Sequence, residues 1–262
     1  MIYLRWLTPC LAVQLCGGCS ARDTPPAAAT NNVYLILIDR SESVNKPEMR
    51  HLYSRNLRTV LQSVGHGDVL VLGWITDRSA GELQLPVNES FPAFCPETDN
   101  PLLVAPFRAK ADSGLKGRLS VISDSVAQLL ASSQRPVMHT AIVESLELAQ
   151  RVFASYDAGR KVLVLMSDME EDSEKLNFAK ERLGGARNDS ILRQLHNASR
   201  MPDLRGVRVY VLGATTGSRP RDRGIRDFWT AFFKSSGADL RPADYGAALV
   251  AFHHPSAQAN CP

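Results

Sequence analysis

Short unbroken apolar runs alternate along this chain with segments whose apolar residues recur every three or four positions. Val33 to Ile38 is the first run, six bulky or β-branched residues. It is too short for a typical helix and has the pattern of a strand buried on both faces. The stretches from Asp68 to Thr76, Lys161 to Met166 and Val207 to Gly213 repeat it. Between the first two runs, Asn45, Pro47 and Glu48 form a helix start. Met49, Leu52, Leu57, Val60, Leu61 and Val64 then recur at helical spacing, and Gly65-His66-Gly67 closes the helix. A second helical face joins Leu119, Ile122, Val126 and Leu129 or Leu130, and a third joins Ile142, Leu146, Ala149 and Phe153. Ile191, Leu192 and Leu195 are the packing positions of helical pieces over 176–198, and Phe228, Trp229, Phe232 and Phe233 form i,i+4 pairs that read as core.

Two regions are less regular. Residues 78–106, with Pro92, Cys95, Pro96 and Pro101, read as an irregular insertion containing an antiparallel edge strand around Glu82 to Val87. Leu240 and Ala247 to Phe252 supply a last short strand and helix. Alternation of strand and helix predicts an α/β class fold, a Rossmann-like doubly wound and mostly parallel sheet with helices on both faces and one antiparallel edge strand.

Composition changes this picture little. The chain has 262 residues, 44% hydrophobic and 22% charged, which fits a soluble globular domain with insertions. Its net charge of +3 does not call for nucleic acid. Arg219, Arg221, Arg223 and Arg226 are interleaved with Asp222 and Asp227 and read as solvated surface, and His253-His254 is too short and too terminal for a metal site.

The first 19 residues stand apart from the domain. Arg5, an apolar stretch from Trp6 to about Cys16, and Gly17-Gly18-Cys19 read as an export signal. The stretch is far shorter than the ~20 residues a membrane-spanning helix needs. Cys19 after two glycines resembles the lipobox of bacterial lipoproteins, in which that cysteine is acylated and becomes the mature N-terminus. Leu15 stands one place earlier than the pattern prefers, and plain secretory cleavage is the alternative. Ser20 to Asn32 then reads as a flexible tether, leaving residues 33–262 as the domain. In a Gram-negative cell, the lipobox resemblance with Ser20 in second place implies an outer-membrane lipoprotein facing the periplasm. Soluble periplasmic or secreted protein is the other localisation. Cys10, Cys16 and Cys19 belong to the signal, so Cys95 and Cys261 are the disulfide candidates in an oxidising compartment.

Candidate chemistry begins where the first strand ends. Asp39, Ser41 and Ser43 are spaced two apart, so an extended segment can point all three side chains one way. One carboxylate and two hydroxyls form a hard, oxygen-only set of low charge, suited to Mg²⁺, with Mn²⁺ as the other candidate. Thr140 opens the helix over Ile142 to Phe153, where an N-cap role is the plainer reading. Ser167 and Asp168 end the strand at Met166 as Asp39 ends the first. Strand C-termini share one edge of a parallel sheet, and ligands bind in the crevice there.

Asp-x-Ser-x-Ser after a first strand, a Thr some 100 residues on and an Asp after a later apolar strand resemble the metal-ion-dependent adhesion site of von Willebrand factor type A domains. The resemblance covers Val33 to roughly Phe252. It implies Asp39, Ser41, Ser43, Thr140 and Asp168 as metal ligands, and a protein partner whose Asp or Glu completes the coordination. Asp77, Ser167 and Glu170 are outer-shell candidates. Two departures stand out: Met138-His139 precedes Thr140 where the family usually has a Gly, and Met169 follows Asp168 where the family commonly has Gly.

The expected function is therefore an exported, cation-dependent binding module and not an enzyme. A structural subunit of an envelope or secretion assembly is the alternative, and a metal-assisted phosphoester hydrolase the minor one. Ser41 stands where a haloacid-dehalogenase-like phosphatase needs its second Asp. No dinucleotide fingerprint, nucleophile elbow or P-loop occurs in the chain.

Overall fold

The computed structural model describes residues 32–77, 85–98, 100–132, 137–156, 159–248 and 252. The signal segment, the tether up to residue 31 and Cys261 lie outside the described residues, as do residues 82–84 of the edge strand expected around 82–87.

Strand β1 (Asn32–Asp39) is buried along its whole length and lies in the middle of a six-stranded sheet. Its neighbours are β2 (Val69–Ile75) and β4 (Arg160–Met166), both parallel to it. Outward from β4 come β5 (Val207–Leu212) and β6 (Asp239–Gly246), also parallel. Strand β3 (Val87–Ser90) pairs antiparallel with β2 at the other side. The expected antiparallel strand thus exists, centred later than the alternation around Glu82 to Val87 indicated. β6 carries Pro242, and a register shift between Val209 and Val211 interrupts its pairing with β5.

Alternation along β1 divides the core in two. Val33, Leu35 and Leu37 face a layer built by α3 (Ile142–Ala154), α4 (Gly185–Asn197) and α5 (Arg219–Ser235), in which Phe228, Trp229 and Phe232 are fully buried. Tyr34, Ile36 and Ile38 face α1 (Pro47–Leu61) and α2 (Pro101–Ala131) on the opposite side. Burying each such large side chain stabilises the fold by about 1.5–3 kcal/mol. The helices therefore cover both faces, as the alternating pattern predicts.

Three details correct the sequence reading. On α1 it is Tyr53 that is buried, whereas Leu52 is half-buried. Residues 101–106, read as part of an irregular insertion, are helical: Asn100 accepts the amide proton of Leu102, and Pro101 occupies the first turn, where its missing N–H costs nothing. Pro106 lies within the same helix. After β5 and α5 the chain forms the single strand β6, and Phe252 packs on the Tyr210 ring at 4.6 Å; residues 249–251 lie outside the described residues. Cys95 is disulfide-bonded, and Cys261, its expected partner, lies outside the described residues.

Candidate metal site at the C-terminal rim of the sheet

The register of the parallel strands decides which residues meet. Ile38 on β1 lies opposite Met166 on β4, so the next residues, Asp39 and Ser167, leave the sheet side by side. The Ser167 hydroxyl donates to Asp39 Oδ2 at 2.7 Å, and the Ser41 amide donates to Asp39 Oδ1 at 2.8 Å. Ser41 Oγ and Ser43 Oγ are 3.0 Å apart. Ser43 also hydrogen-bonds the Asp168 side chain, whose Oδ1 accepts the Glu170 amide at 2.9 Å.

The loop before α3 closes the ring. Ser41 forms a parallel bridge with Val137, and Thr140 pairs with Asp172 through two backbone hydrogen bonds of 2.9 Å. The three loops after β1, before α3 and after β4 are thus tied to one another in pairs. Asp39, Ser41, Thr140, Ser167 and Asp168 are buried at this rim, and Ser43 is exposed. Of the expected outer residues, Ser167 orients Asp39, while Glu170 forms an ion pair with Arg221. Asp77 is exposed at the end of β2, and among the described residues no hydrogen bond ties it to Asp39 or Asp168.

The electrostatics of this ring favour a cation. Burial raises the Asp39 carboxyl above its ordinary range, outweighing the hydrogen bonds from Ser167 and Ser41. Burial and then the charge of Asp39 push Asp168 up to about 7. Neither carboxylate forms an ion pair with a Lys, Arg or His among the described residues. Two buried like charges without a counter-charge, flanked by three hydroxyl side chains, fit a hard divalent cation held by Asp39, Ser41, Ser43, Thr140 and Asp168. Among the described residues no three His, Cys, Asp or Glu side chains cluster as a metal site, so the hydroxyls are needed to complete a ligand set.

Several residues at the rim were not legible in the sequence. Tyr53 is fully buried, its hydroxyl without a hydrogen-bond partner and its pKa raised first by burial and then by Asp39 and Asp168. Gly213, with φ of 82°, makes room for it: a Cβ there would stand 2.9 Å from the Tyr53 hydroxyl. Glu171 is buried as well, with Oε2 accepting the Val143 amide at the start of α3 and burial pushing its carboxyl up to about 8. Spacing of four from Met49 and to Leu57 is the one sequence signal that marks Tyr53; Glu171 stands in an acidic run that reads as a solvated loop. Beside Ser43 and Asp168 opens a cleft of about 450 Å³, also lined by Lys46, Thr216, Glu170 and Arg221.

Met169 explains the missing glycine. Its φ is 66°, a left-handed conformation that costs an L-residue about 1–2 kcal/mol, so the turn a Gly would make after Asp168 is made here by Met. The side chain is fully buried in the α3–α5 layer, and its carbonyl accepts the Trp229 indole N–H at 2.8 Å. Burial therefore offsets the backbone cost. Met169→Ala keeps the strain and loses the packing, an expected destabilisation of about 2–4 kcal/mol in urea unfolding. Met169→Gly relieves the strain and should be no worse than Met169→Ala, the reverse of the usual order of the two residues in regular structure. A glycine variant clearly less stable than the alanine one would contradict this account.

No protein-family model and no curated protein matches the sequence. Solved structures do. The manganese-loaded TRAP protein of Plasmodium vivax is similar at 13% identity and a TM-score of 0.44, over 83% of this chain and 68% of that one. Proximal thread matrix protein 1 from the mussel byssus, with zinc in its MIDAS motif, is similar at 11% identity and a TM-score of 0.36, over 71% and 38%. A von Willebrand factor type A structure from Catenulispora acidiphila is similar at 14% identity and a TM-score of 0.34, over 79% and 43%. This chain thus spans less than half the length of the last two. Strand order β3-β2-β1-β4-β5-β6, helices on both faces and oxygen-bearing loops gathered at the C-terminal rim are the arrangement that the resemblance to von Willebrand factor type A domains implies.

Proposed function

We propose that this chain is an exported binding module that holds a divalent cation, Mg²⁺ or Mn²⁺, at the rim and uses it to engage an Asp or Glu of a protein partner. One observation carries the reading: three loops tied in pairs gather Asp39 and Asp168, two buried carboxylates that lack a counter-charge, together with hydroxyls that neutralise a cation only partly. A cation bound there keeps electrophilic character toward an outside oxygen. The cleft beside Ser43 and Asp168 gives a partner side chain access, with Lys46 on its wall and Arg221 there paired with Glu170. Lipid anchoring through Cys19 belongs to the same proposal and rests on the Gly17-Gly18-Cys19 signal.

Capture from envelope extracts tests the proposal. Wild-type protein in Mg²⁺ should retain a partner that is released by chelator and absent with Asp39→Asn. Capture that ignores both chelator and substitution would point instead to a structural subunit of a larger assembly. Phosphoester turnover that Asp39→Asn abolishes would replace the binding reading with a hydrolytic one.

A further inference from the structure

We propose that the first turns of α2 rest in an anionic lipid surface, at the end of the domain opposite the metal rim. The inference rests on the tethered reading of the chain. The C-terminal half of α2 packs on the domain through Leu119, Val126 and Leu130, and near its end the Ala131 carbonyl accepts a hydrogen bond from Arg50. At the other end of the domain, His66 in the turn after α1 meets Asp112 at 3.0 Å. The residues before Asp112 continue for about 16 Å at the helical rise and make few contacts with the domain.

This projecting piece is apolar where water would meet it. Leu102 is 85% exposed, Leu103 55% and Phe107 67%; Leu103 and Phe107, four apart, share a face with Lys110, and Leu102 lies on the flank beside it. A cluster of exposed large apolar side chains on a rigid helix marks a contact surface. Asn100 caps the helix, and the Arg108 guanidinium lies 4.6 Å over the Phe94 ring, next to disulfide-bonded Cys95.

The place where the chain enters the domain identifies the occupant. Asn32 donates to Asp68 through its backbone and its side chain, and Asp68 also takes the Gly65 amide, one residue from His66. Tether and projecting helix therefore share one end of the domain. Residues 20–31 reach at most about 40 Å when extended, so acylated Cys19 holds this end close to headgroups. Arg160, opposite Asn32 in register, and Lys161 are basic residues at the same end of the sheet, and Lys110 lies on the projecting helix. Apolar side chains with adjacent lysine or arginine suit an anionic interface. Among the described residues no helix is long and apolar enough to cross a membrane, so α2 lies in the surface and does not span it.

The test uses the full chain bound to vesicles of phosphatidylethanolamine and phosphatidylglycerol that carry a carbene-generating lipid, with labelled peptides mapped after irradiation. Label should appear on residues 101–107 above the level on α1 and α5. Leu102→Ser with Phe107→Ser should lower it at least about tenfold, as expected from losing two large apolar side chains. Both positions are exposed, so the thermal melt of this variant should match wild type. Palmitate incorporation at Cys19, scored in parallel in cells, reports separately on the tether. Label on 101–107 no higher than on the control helices overturns the inference, whether or not Cys19 takes palmitate. Absence of label together with self-association that the double substitution abolishes also overturns it, and assigns the surface to a second copy of the chain.

Discussion

Asp39→Asn is expected to abolish Mg²⁺ binding while leaving the metal-free protein at least as stable as wild type. The substitution keeps the shape of the side chain. Its oxygen can still accept the Ser41 amide, and its nitrogen can donate to the Ser167 hydroxyl that Asp39 Oδ2 now accepts from. What disappears is one of two buried negative charges, and with it the repulsion that contributes to raising Asp168. Saturating cation at 100 times its dissociation constant should stabilise wild type by about 2.7 kcal/mol, a rise of roughly 5–10 °C in the melting temperature of a domain this size. The asparagine variant should show no rise. Calorimetric titration and thermal melts in Mg²⁺ or chelator read both effects together. Undiminished binding to Asp39→Asn would remove this carboxylate, and the site built on it, from consideration.

Stabilisation by the cation should also depend steeply on pH. Asp168 holds its proton up to about 7 in the folded chain, against an ordinary value of 3.8. A raised acid binds protons more tightly folded than unfolded, so its contribution to stability is fully present below the unfolded value and is lost as pH rises through about 7. In the metal-free protein, stability should therefore decline across that window. A cation competes with the same proton, and its apparent affinity should weaken about tenfold per pH unit below about 7. Melting-temperature shifts on adding Mg²⁺ should be large at pH 8 and absent near pH 5; equal shifts at both would refute the argument. Glu171, raised to about 8 by burial, acts with the same sign but lies outside the ligand set. Its slope should persist between pH 7 and 8 in Asp39→Asn.

How far the sequence reaches is clearest from particular residues. Val33 to Ile38 and Val162 to Met166 are visible as strands because burial on both faces leaves no polar position to obscure them. Asp39, Ser41, Ser43, Thr140 and Asp168 are picked out by the resemblance to von Willebrand factor type A domains, and parallel topology brings their loops to one rim. Tyr53 and Glu171 depend on what packs around them, and no local pattern encodes that. The start of α2 was hidden for a different reason. Pro96, Pro101 and Pro106 read as loop markers, whereas Pro101 sits in a first helical turn and Pro106 is carried inside the helix. Met169 shows the reverse case, a departure in sequence that preserves the backbone turn.

The two outer strands limit how this domain can join others. β6 lacks a donor at Pro242, carries Asp239, Arg241 and Asp244 along its length and is thrown out of register beside Val209, while β3 is four residues long with Glu89 engaged by Arg118 of α2. Charges, proline and brevity of this kind block strand addition. The sheet is therefore protected from growing sideways into an aggregate or a fibre, even where neighbouring copies stand close together. Assembly through a shared backbone ladder is disfavoured, and contacts must be made by side chains, which a substitution can tune one at a time.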